Sequence, residues 1–268
     1  GLFTEIRGLR DGGANGSIGA VRVATSQPDG HTLLLATTGM MAINQWIYEK
    51  PTYNPEKDFL PITNGAWTPN ILVVNPSLKA TTLKELVALA KAEPGKLTFA
   101  SAGIGSTSHL CGETLKVIEG IDAVHVPYQG AAPALQDVVS GQVSMMCDNL
   151  SNTVQQVQGG SLRAIVVTAT EPSKQLPNVP TSPQAGAPDL LAGNWYGFFA
   201  PAGTPKDVVE KLHKLIAESL RDPTVTSRLE GLGLTVIADT PSEFAATVTK
   251  DSARMKDIVE RAKAKIAN

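Results

Sequence analysis

Residues 97–110, Leu97-Thr-Phe-Ala-Ser-Ala-Gly-Ile-Gly-Ser-Thr-Ser-His-Leu110, have the residue types and spacing of an anion-binding junction. A buried strand runs through a glycine turn straight into the start of a helix. The first N–H groups of a helix lack intrahelical partners and lie at the positive end of its dipole, so a carboxylate or phosphate is held there without a cationic side chain. Gly103 and Gly105 permit the positive φ and the close approach that such a turn requires, and Ser106 or Thr107 can cap the helix. An ordinary capped strand-to-helix turn uses the same residues, so the rest of the chain has to decide between the two.

A carboxylate is clamped either by arginine or by backbone dipoles. No arginine falls in an expected cleft loop: Arg163 begins a strand, and Arg221, Arg228, Arg254 and Arg261 belong to C-terminal helices. Dipole anchoring is therefore expected. Ser101, Gly105, Ser106 and Thr107 present N–H and hydroxyl groups from one lobe, and Thr37, Thr38 and Gly39 face them from the other. Asp148, ending an apolar strand, would repel an anion but welcome an ammonium or hydroxyl group; equally, with Asn149 and Ser151 after it, it caps the next helix. Tyr128 either donates its hydroxyl to the ligand or is a half-buried core tyrosine. Gly130 closes the turn beside it and joins the candidate ligand set. Trp67, read as lying in a loop before a strand, either walls the pocket or covers a core.

The sequence carries no arrangement for catalysis, metal binding or a cofactor. Ser108 and His109 are neighbours on a helix and point to different faces, so they cannot pair as nucleophile and base. His31, His109, His125 and His213 are scattered without metal-ligand spacing. Gly103-Ile-Gly105-Ser-Thr-Ser108 resembles the dinucleotide fingerprint G-x-G-x-x-G with serine in the last place. That fingerprint needs an acid at the end of the next strand, roughly 20 residues on, to hold a ribose. Here the next strand ends at Val126-Pro127, which argues against a dinucleotide-binding oxidoreductase.

The elements that must position these residues alternate. Strands are expected at His31 to Ala36, Asn70 to Asn75, the junction itself, Ala123 to Val126, Gln142 to Cys147 and Leu162 to Thr168. Helices are expected through Met41 to Tyr48, from the Thr82-Leu-Lys-Glu85 capping box to Ala92, from the junction to about Ile118, near Ala132 to Ser140, and at Thr153 to Gln158. Strands separated by such helices make parallel sheets covered on both faces, with ligands at the carboxyl ends of the strands. Residues 171–194, rich in Pro and Gly, read as an extended crossing between lobes. Trp195 to Ala200 is the returning strand, and helices starting at Thr204-Pro205 and Thr240-Pro241 pack back on the first lobe.

With 268 residues and 42% hydrophobic residues the chain can fill two cores. Lys and Arg total 23 against 25 for Asp and Glu, a formal charge of −2, so no basic surface argues for nucleic acid or an anionic membrane. The longest apolar runs are far below the roughly 20 residues of a membrane span. Gly1 is followed by no charged-then-apolar leader, so the sequence carries no targeting information of its own and reads as a processed or trimmed product. Cys111 and Cys147 have no metal spacing; they form a disulfide in an oxidising compartment or stay two buried thiols.

In order along the chain, Pro28 to Leu34, Asn70 to Pro76, Ser101 to Leu110, His125-Val-Pro-Tyr-Gln-Gly130, Cys147-Asp-Asn149, Leu162-Arg-Ala164, Pro180-Thr181 and Phe199-Ala-Pro-Ala-Gly-Thr-Pro205 resemble the solute-binding proteins of tripartite tricarboxylate transporters, the Bug-type family. The resemblance covers nearly the whole chain and rests on many ordered motifs. It implies an α/β, two-lobed periplasmic-binding-protein (type II) fold, each lobe a mostly parallel sheet flanked by helices. Lobe one would take residues 1–99 plus 196–268 and lobe two residues 100–195, with hinges near Phe99-Ala100 and Asn194-Trp195. It also implies a monomer in the periplasm of a Gram-negative bacterium. There the protein would close on a small organic carboxylate, whether di- or tricarboxylate, amino acid or aromatic acid, and deliver it to membrane permease subunits. Handing the closed form to a membrane sensor kinase uses the same closure and stays open. Family members usually begin with a strand, a Pro/Gly-rich loop and a helix ahead of the region matched by Gly12 to Gly19. That opening unit is not found ahead of Gly12, which reads either as a trimmed chain or as first residues lying outside this sequence, and Leu2 to Arg10 match the family poorly.

Overall fold

The computed structural model describes residues 14–266, so Leu2 to Arg10 and the start of the Gly12 to Gly19 stretch lie outside the described residues. In chain order the elements are α1 (Ser17–Ala24), β1 (Leu34–Thr37), α2 (Asn44–Ile47), α3 (Pro55–Asp58), β2 (Phe59–Val74), α4 (Leu83–Ala92), β3 (Leu97–Ser101), α5 (Thr107–Glu119), β4 (Ala123–Pro127), α6 (Ala131–Val139), β5 (Met145–Asn149), α7 (Leu150–Gln158), β6 (Arg163–Val167), β7 (Gly193–Pro201), α8 (Lys206–Leu220), α9 (Pro223–Gly231), β8 (Thr235–Val236) and α10 (Pro241–Arg261). A 3₁₀ turn at Ala14–Gly16 leads into α1, and a wide π turn at Gly39–Ile43 leads into α2.

The organising element is β2. Its first part, from Phe59 to Pro69, pairs antiparallel with β7 and briefly with β8, and β7 in turn pairs antiparallel with β1. Its last part, Asn70 to Val74, pairs antiparallel with β5 on one side and β6 on the other. Beyond β5, strands β3 and β4 run parallel. One strand thus belongs to two sheets and crosses between them at Pro69-Asn70. Proline has no N–H to give a ladder, and the register shifts beside Pro61. The expected short strand at Asn70 to Asn75 is the far end of this longer one, and Trp67 lies inside it rather than in a loop.

The parallel pairing read from the strand–helix alternation holds for β3, β4 and β5. The described pairs of the first sheet are antiparallel, because β1 and β2 pair with the returning strand β7, which runs against both. Residues 70–99, expected in the first lobe, pair and pack in the second sheet; the strand crossing is at Pro69-Asn70, not at Phe99-Ala100. The return at Asn194-Trp195 lies at the start of β7, opposite Thr68 and Trp67. Between β6 and β7 the chain is irregular apart from one bridge, Val167 to Thr181, as its composition suggests.

Alternation along β2 fills both faces of the second sheet. Leu72 and Val74 pack with Phe99, Leu86 of α4 and Leu115 of α5. Ile71 and Val73 pack with Ala100, Leu135 and Val138 of α6 and Val154 of α7. In the first lobe Trp195 and Phe199 of β7 meet Phe244 of α10, while α8 covers Ile62 and Ala200 through Val209 and Leu212. The C-terminal helices therefore do return to the first lobe. Thr240 and Glu243 form the expected reciprocal cap of α10. At the other Thr-Pro start the helix begins one residue later, and the Thr204 hydroxyl donates to the Pro201 carbonyl instead. Cys111 of α5 and Cys147 of β5 are disulfide-bonded, with their Cα atoms 6.0 Å apart, which settles the alternative left by the sequence.

Candidate functional site

The junction after β3 is built from its own polar groups. The Ser106 side chain is the N-cap of α5 and accepts the His109 N–H at 3.2 Å, and its hydroxyl donates to the Gly103 carbonyl at 2.6 Å. Ser108 Oγ accepts the Ala102 N–H at 2.9 Å, and Ser101 Oγ accepts the Gly103 N–H at 3.2 Å. Gly105, at φ +83°, donates its N–H to His109 Nδ1 at 3.4 Å. These bonds fix the loop around the first turn of α5. The N–H groups of Thr107 and Ser108, the first two of the helix, have no intrahelical acceptor, as at any helix start.

Two imidazoles support the loop from beneath. His125 Nε2 lies 2.7 Å from Ser101 Oγ, and its ring is stacked between Phe99 at 4.8 Å and His109 at 4.2 Å. Burial, then the mutual repulsion of the rings and the nearby Lys116 cation, push His109 down to about 3; burial and Lys116 push His125 down to about 4. Both rings are neutral at pH 7, which leaves His109 Nδ1 free to accept from Gly105.

The first lobe meets this junction directly. A Cβ on Gly39 would lie 3.0 Å from the Gly105 carbonyl oxygen and 2.6 Å from Asn15 Nδ2. Asn15 Nδ2 donates to the Gly105 carbonyl at 2.7 Å and to Asn44 Oδ1 at 2.9 Å. Below, Leu110 and Ile104 of the junction pack against Ile43, Ile47, Met255 and Val259 of the first lobe. A second cross-lobe contact runs from Asn149 Nδ2 at the end of β5 to the Tyr196 hydroxyl of β7 at 3.1 Å, and Thr107 Oγ1 lies 3.5 Å from Asn149 Oδ1.

The expected site residues therefore separate. Gly39 and Gly105 meet at the lobe interface, Thr107 lies beside the Asn149 that reaches Tyr196, and Ser106 caps α5 within the junction. Ser101 supports the loop through its hydroxyl. Thr37 takes the Met40 N–H at 3.4 Å, whereas Thr38 is fully buried and holds the strand crossing: its N–H donates to Asn194 Oδ1 and its hydroxyl accepts the Trp195 N–H, both at 3.1 Å. Gly130 donates its N–H to the Ala102 carbonyl and shapes the loop from the adjoining turn. Tyr128 packs on the second core and donates its hydroxyl to Asp137 of α6, the half-buried core alternative. Trp67 packs against both lobes' cores beneath Gly193 and lines a separate hollow of about 270 Å³ with Pro69, Leu150 and Leu234, away from the glycine junction. Asn15, Asn44 and Tyr196 are the residues that sequence reasoning missed. A faint signal existed for Asn15, since an Asn-Gly pair ahead of a helix marks a left-handed turn.

Asp148 is 2% exposed and accepts a hydrogen bond from Asn152 Nδ2 at 3.0 Å. It tethers α7 through that side chain; no side-chain cap on the α7 backbone forms. Burial lifts its carboxyl to about 6 against hydrogen bonds that favour the charge. A raised carboxylate pKa means that the folded chain binds more protons than the unfolded one between pH 4 and 6, so stability falls as pH rises through that window. Asp148→Asn is expected to raise the unfolding free energy at pH 7 by up to about 3 kcal/mol and to change little at pH 4. Urea unfolding at the two pH values checks this; an equal effect at both would show that the buried charge is not the cause.

Two sheets joined by one continuous strand and one returning connection, with a glycine-lined helix start of one facing the loops of the other, define a two-lobed periplasmic-binding-protein fold. The chain belongs to the tripartite tricarboxylate transporter family receptors, whose sequence pattern matches residues 10–263. It is similar to the protein BugT of Bordetella pertussis, 31% identical over 95% of this chain and 78% of that one. It is also similar to two solved structures. MatC of Rhodopseudomonas palustris with bound malate is 35% identical over 92% of this chain and 85% of that one, with a TM-score of 0.87. The R. palustris protein Rpa4515 with adipate is 32% identical over 94% and 84%, with a TM-score of 0.89. Among the described residues, no helix is long and apolar enough to cross a membrane.

Proposed function

We propose that this chain is a periplasmic receptor that captures a small organic carboxylate between its lobes and presents the closed form to the membrane subunits of a tripartite transporter. The observation that carries the reading is the first turn of α5. Its cap and loop bonds are satisfied internally, its first N–H groups have no acceptor within the helix, and Gly105 just before it meets the first lobe through Asn15; an anionic group placed there would be stabilised by the helix dipole. The malate and adipate held by the two solved relatives are carboxylates of the size such a site takes. Closure would turn about the strand crossings at Pro69-Asn70 and Asn194-Trp195, with residues 70–192 moving against the rest. The ligand favours the closed form by its extra affinity for that form.

The test is thermal unfolding against C4 to C6 dicarboxylates, acidic amino acids and aromatic acids, with NAD and NADP as controls. A carboxylate at about 100 times its dissociation constant is expected to add about 2.7 kcal/mol of stability. Stabilisation by a dinucleotide alone, or by nothing in the panel, would reject the reading. Arg163→Ala serves as the internal control. Its Nη1 donates to the Leu78 and Ala80 carbonyls at 3.0 and 3.1 Å, tying the chain before α4 to β6, so the variant is expected to bind carboxylates as the natural chain does.

A further inference from the structure

We propose that Asn15 is a positioning residue that holds the two lobes closed by a bond independent of the ligand, and so sets how long the captured ligand stays. This inference rests on the interlobe binding read above and adds a protein-to-protein latch to it. The geometry is specific. Asn15 lies at φ 49° and ψ 45°, a left-handed conformation that asparagine tolerates better than other side chains with a Cβ, and Gly16 follows at φ 82°. This backbone turns the Asn15 amide away from α1 and across the cleft. One N–H of Nδ2 reaches the Gly105 carbonyl at 2.7 Å and the other reaches Asn44 Oδ1 at 2.9 Å.

Asn44 is itself fixed, because its Nδ2 donates to the Asn15 carbonyl at 3.2 Å, Ser17 Oγ at 3.1 Å and the Tyr53 hydroxyl at 3.1 Å. With all its donors used inside the first lobe, Asn44 offers Oδ1 as a fixed acceptor. The Asn15 amide is thereby oriented with its donors, not its oxygen, toward the second lobe. The receiving carbonyl belongs to Gly105, whose N–H is held by His109 and whose position opens the anion-binding turn. Gly39 has no side chain to block the approach; any Cβ there would meet both Asn15 and Gly105. The bond spans the two lobes, so on this proposal it forms when they close and breaks when they part, and its acceptor is in the loop that would hold the ligand.

A neutral, partly buried hydrogen bond of this kind contributes about 1 kcal/mol, which corresponds to a fivefold change in an equilibrium between open and closed forms. Since the bond exists only in the closed form, its loss acts on escape of the ligand more than on entry. Asn15→Gly keeps the left-handed backbone and removes the amide. Asn15→Asp keeps the shape but sets a carboxylate against the Gly105 carbonyl. The expected result, with malate and adipate as probes in stopped-flow and calorimetry, is a dissociation rate raised about fivefold in Asn15→Gly and more in Asn15→Asp, with the association rate unchanged. The ligand-free radius of gyration from solution scattering is expected to rise in both variants, most in Asn15→Asp.

A residue that only supported local folding would lower the unfolding temperature without altering the dissociation rate or the radius. Unchanged dissociation in both variants, with an unchanged radius, would overturn the latch. If the natural chain bound neither probe, the function proposed above would be challenged while the scattering measurement still decided the latch: a radius equal in all three chains rejects it, and expansion in the variants supports it.

Discussion

Replacing both cysteines, Cys111→Ala with Cys147→Ala, is expected to lower the unfolding free energy by about 4 kcal/mol, the entropic cost of releasing a closed loop of this length in the unfolded chain. The bond joins residues 36 apart in sequence. For a chain of this size the loss corresponds to an unfolding temperature lower by roughly 10 °C. The effect arises mainly in the unfolded ensemble, so the folded variant keeps its junction and still binds carboxylate, with reduced thermal tolerance. Both cysteines are nearly inaccessible, at 2% and 1% exposure, so a thiol reductant is expected to act on the folded protein only as fast as it opens. Guanidinium unfolding of the natural and double-variant chains measures the difference, and a change below 1 kcal/mol would contradict the account. The bond ties α5, which begins the anion-binding turn, to β5, which ends at Asn149. Any slackening of that pair in the variant should therefore appear first as weaker ligand binding.

The second large effect is acid sensitivity from the stacked imidazoles. With folded values pushed down to about 3 for His109 and about 4 for His125, and an ordinary histidine near 6.5, the unfolded chain binds more protons than the folded one below about pH 6.5. Stability from this pair is thus complete above pH 6.5 and is lost as pH falls toward 4. His109, 5% exposed, accounts for about 3 kcal/mol of loss by pH 4. His125 is only half-buried, so its share is smaller after solvent screening. Below these values a proton on His109 Nδ1 removes the acceptor of the Gly105 N–H, and carboxylate affinity should fall with stability. The Asp148 carboxyl works in the opposite sense between pH 4 and 6 and offsets part of the slope. Urea unfolding from pH 7 to 4 is expected to show the loss in the natural chain and a flatter profile in His109→Gln. Parallel profiles in the two chains would exclude the imidazole as the origin.

The parts of the site that were legible in the sequence obey short-range rules. Positive φ at Gly103 and Gly105, the Ser106 cap and the start of α5 depend on residues within a turn of one another, and they stand where the residue order puts them. The family resemblance, carried by ordered motifs, extended this local reading to the whole chain and to its two-lobed architecture. What the sequence left open was decided by partners far along the chain. Asp148 and Tyr128 each had two chemically sound readings; the fold gives Asp148 a third place, buried and bonded to the Asn152 side chain, and gives the Tyr128 hydroxyl the Asp137 carboxylate as its partner.

Pairing partners were hidden for the same reason. The pattern of β2 looks like separate pieces because Pro61 and Pro69 interrupt it, yet β7 pairs with it across Pro61, with register shifts, as far as Pro69, and β5 and β6 take over beyond. The hydroxyls of Ser101 and Thr38 have ideal chemistry for a ligand, but the Ser101 hydroxyl is paired with His125 and the Thr38 hydroxyl accepts the Trp195 N–H. Local chemistry thus determined that this chain would build a glycine turn with a serine cap and where the helix after it begins. Tertiary structure decided which partners its polar groups take and that Asn15 of the opposite lobe reaches it, since hydrogen-bonding capacity is a property of a residue while its partner is a property of the fold.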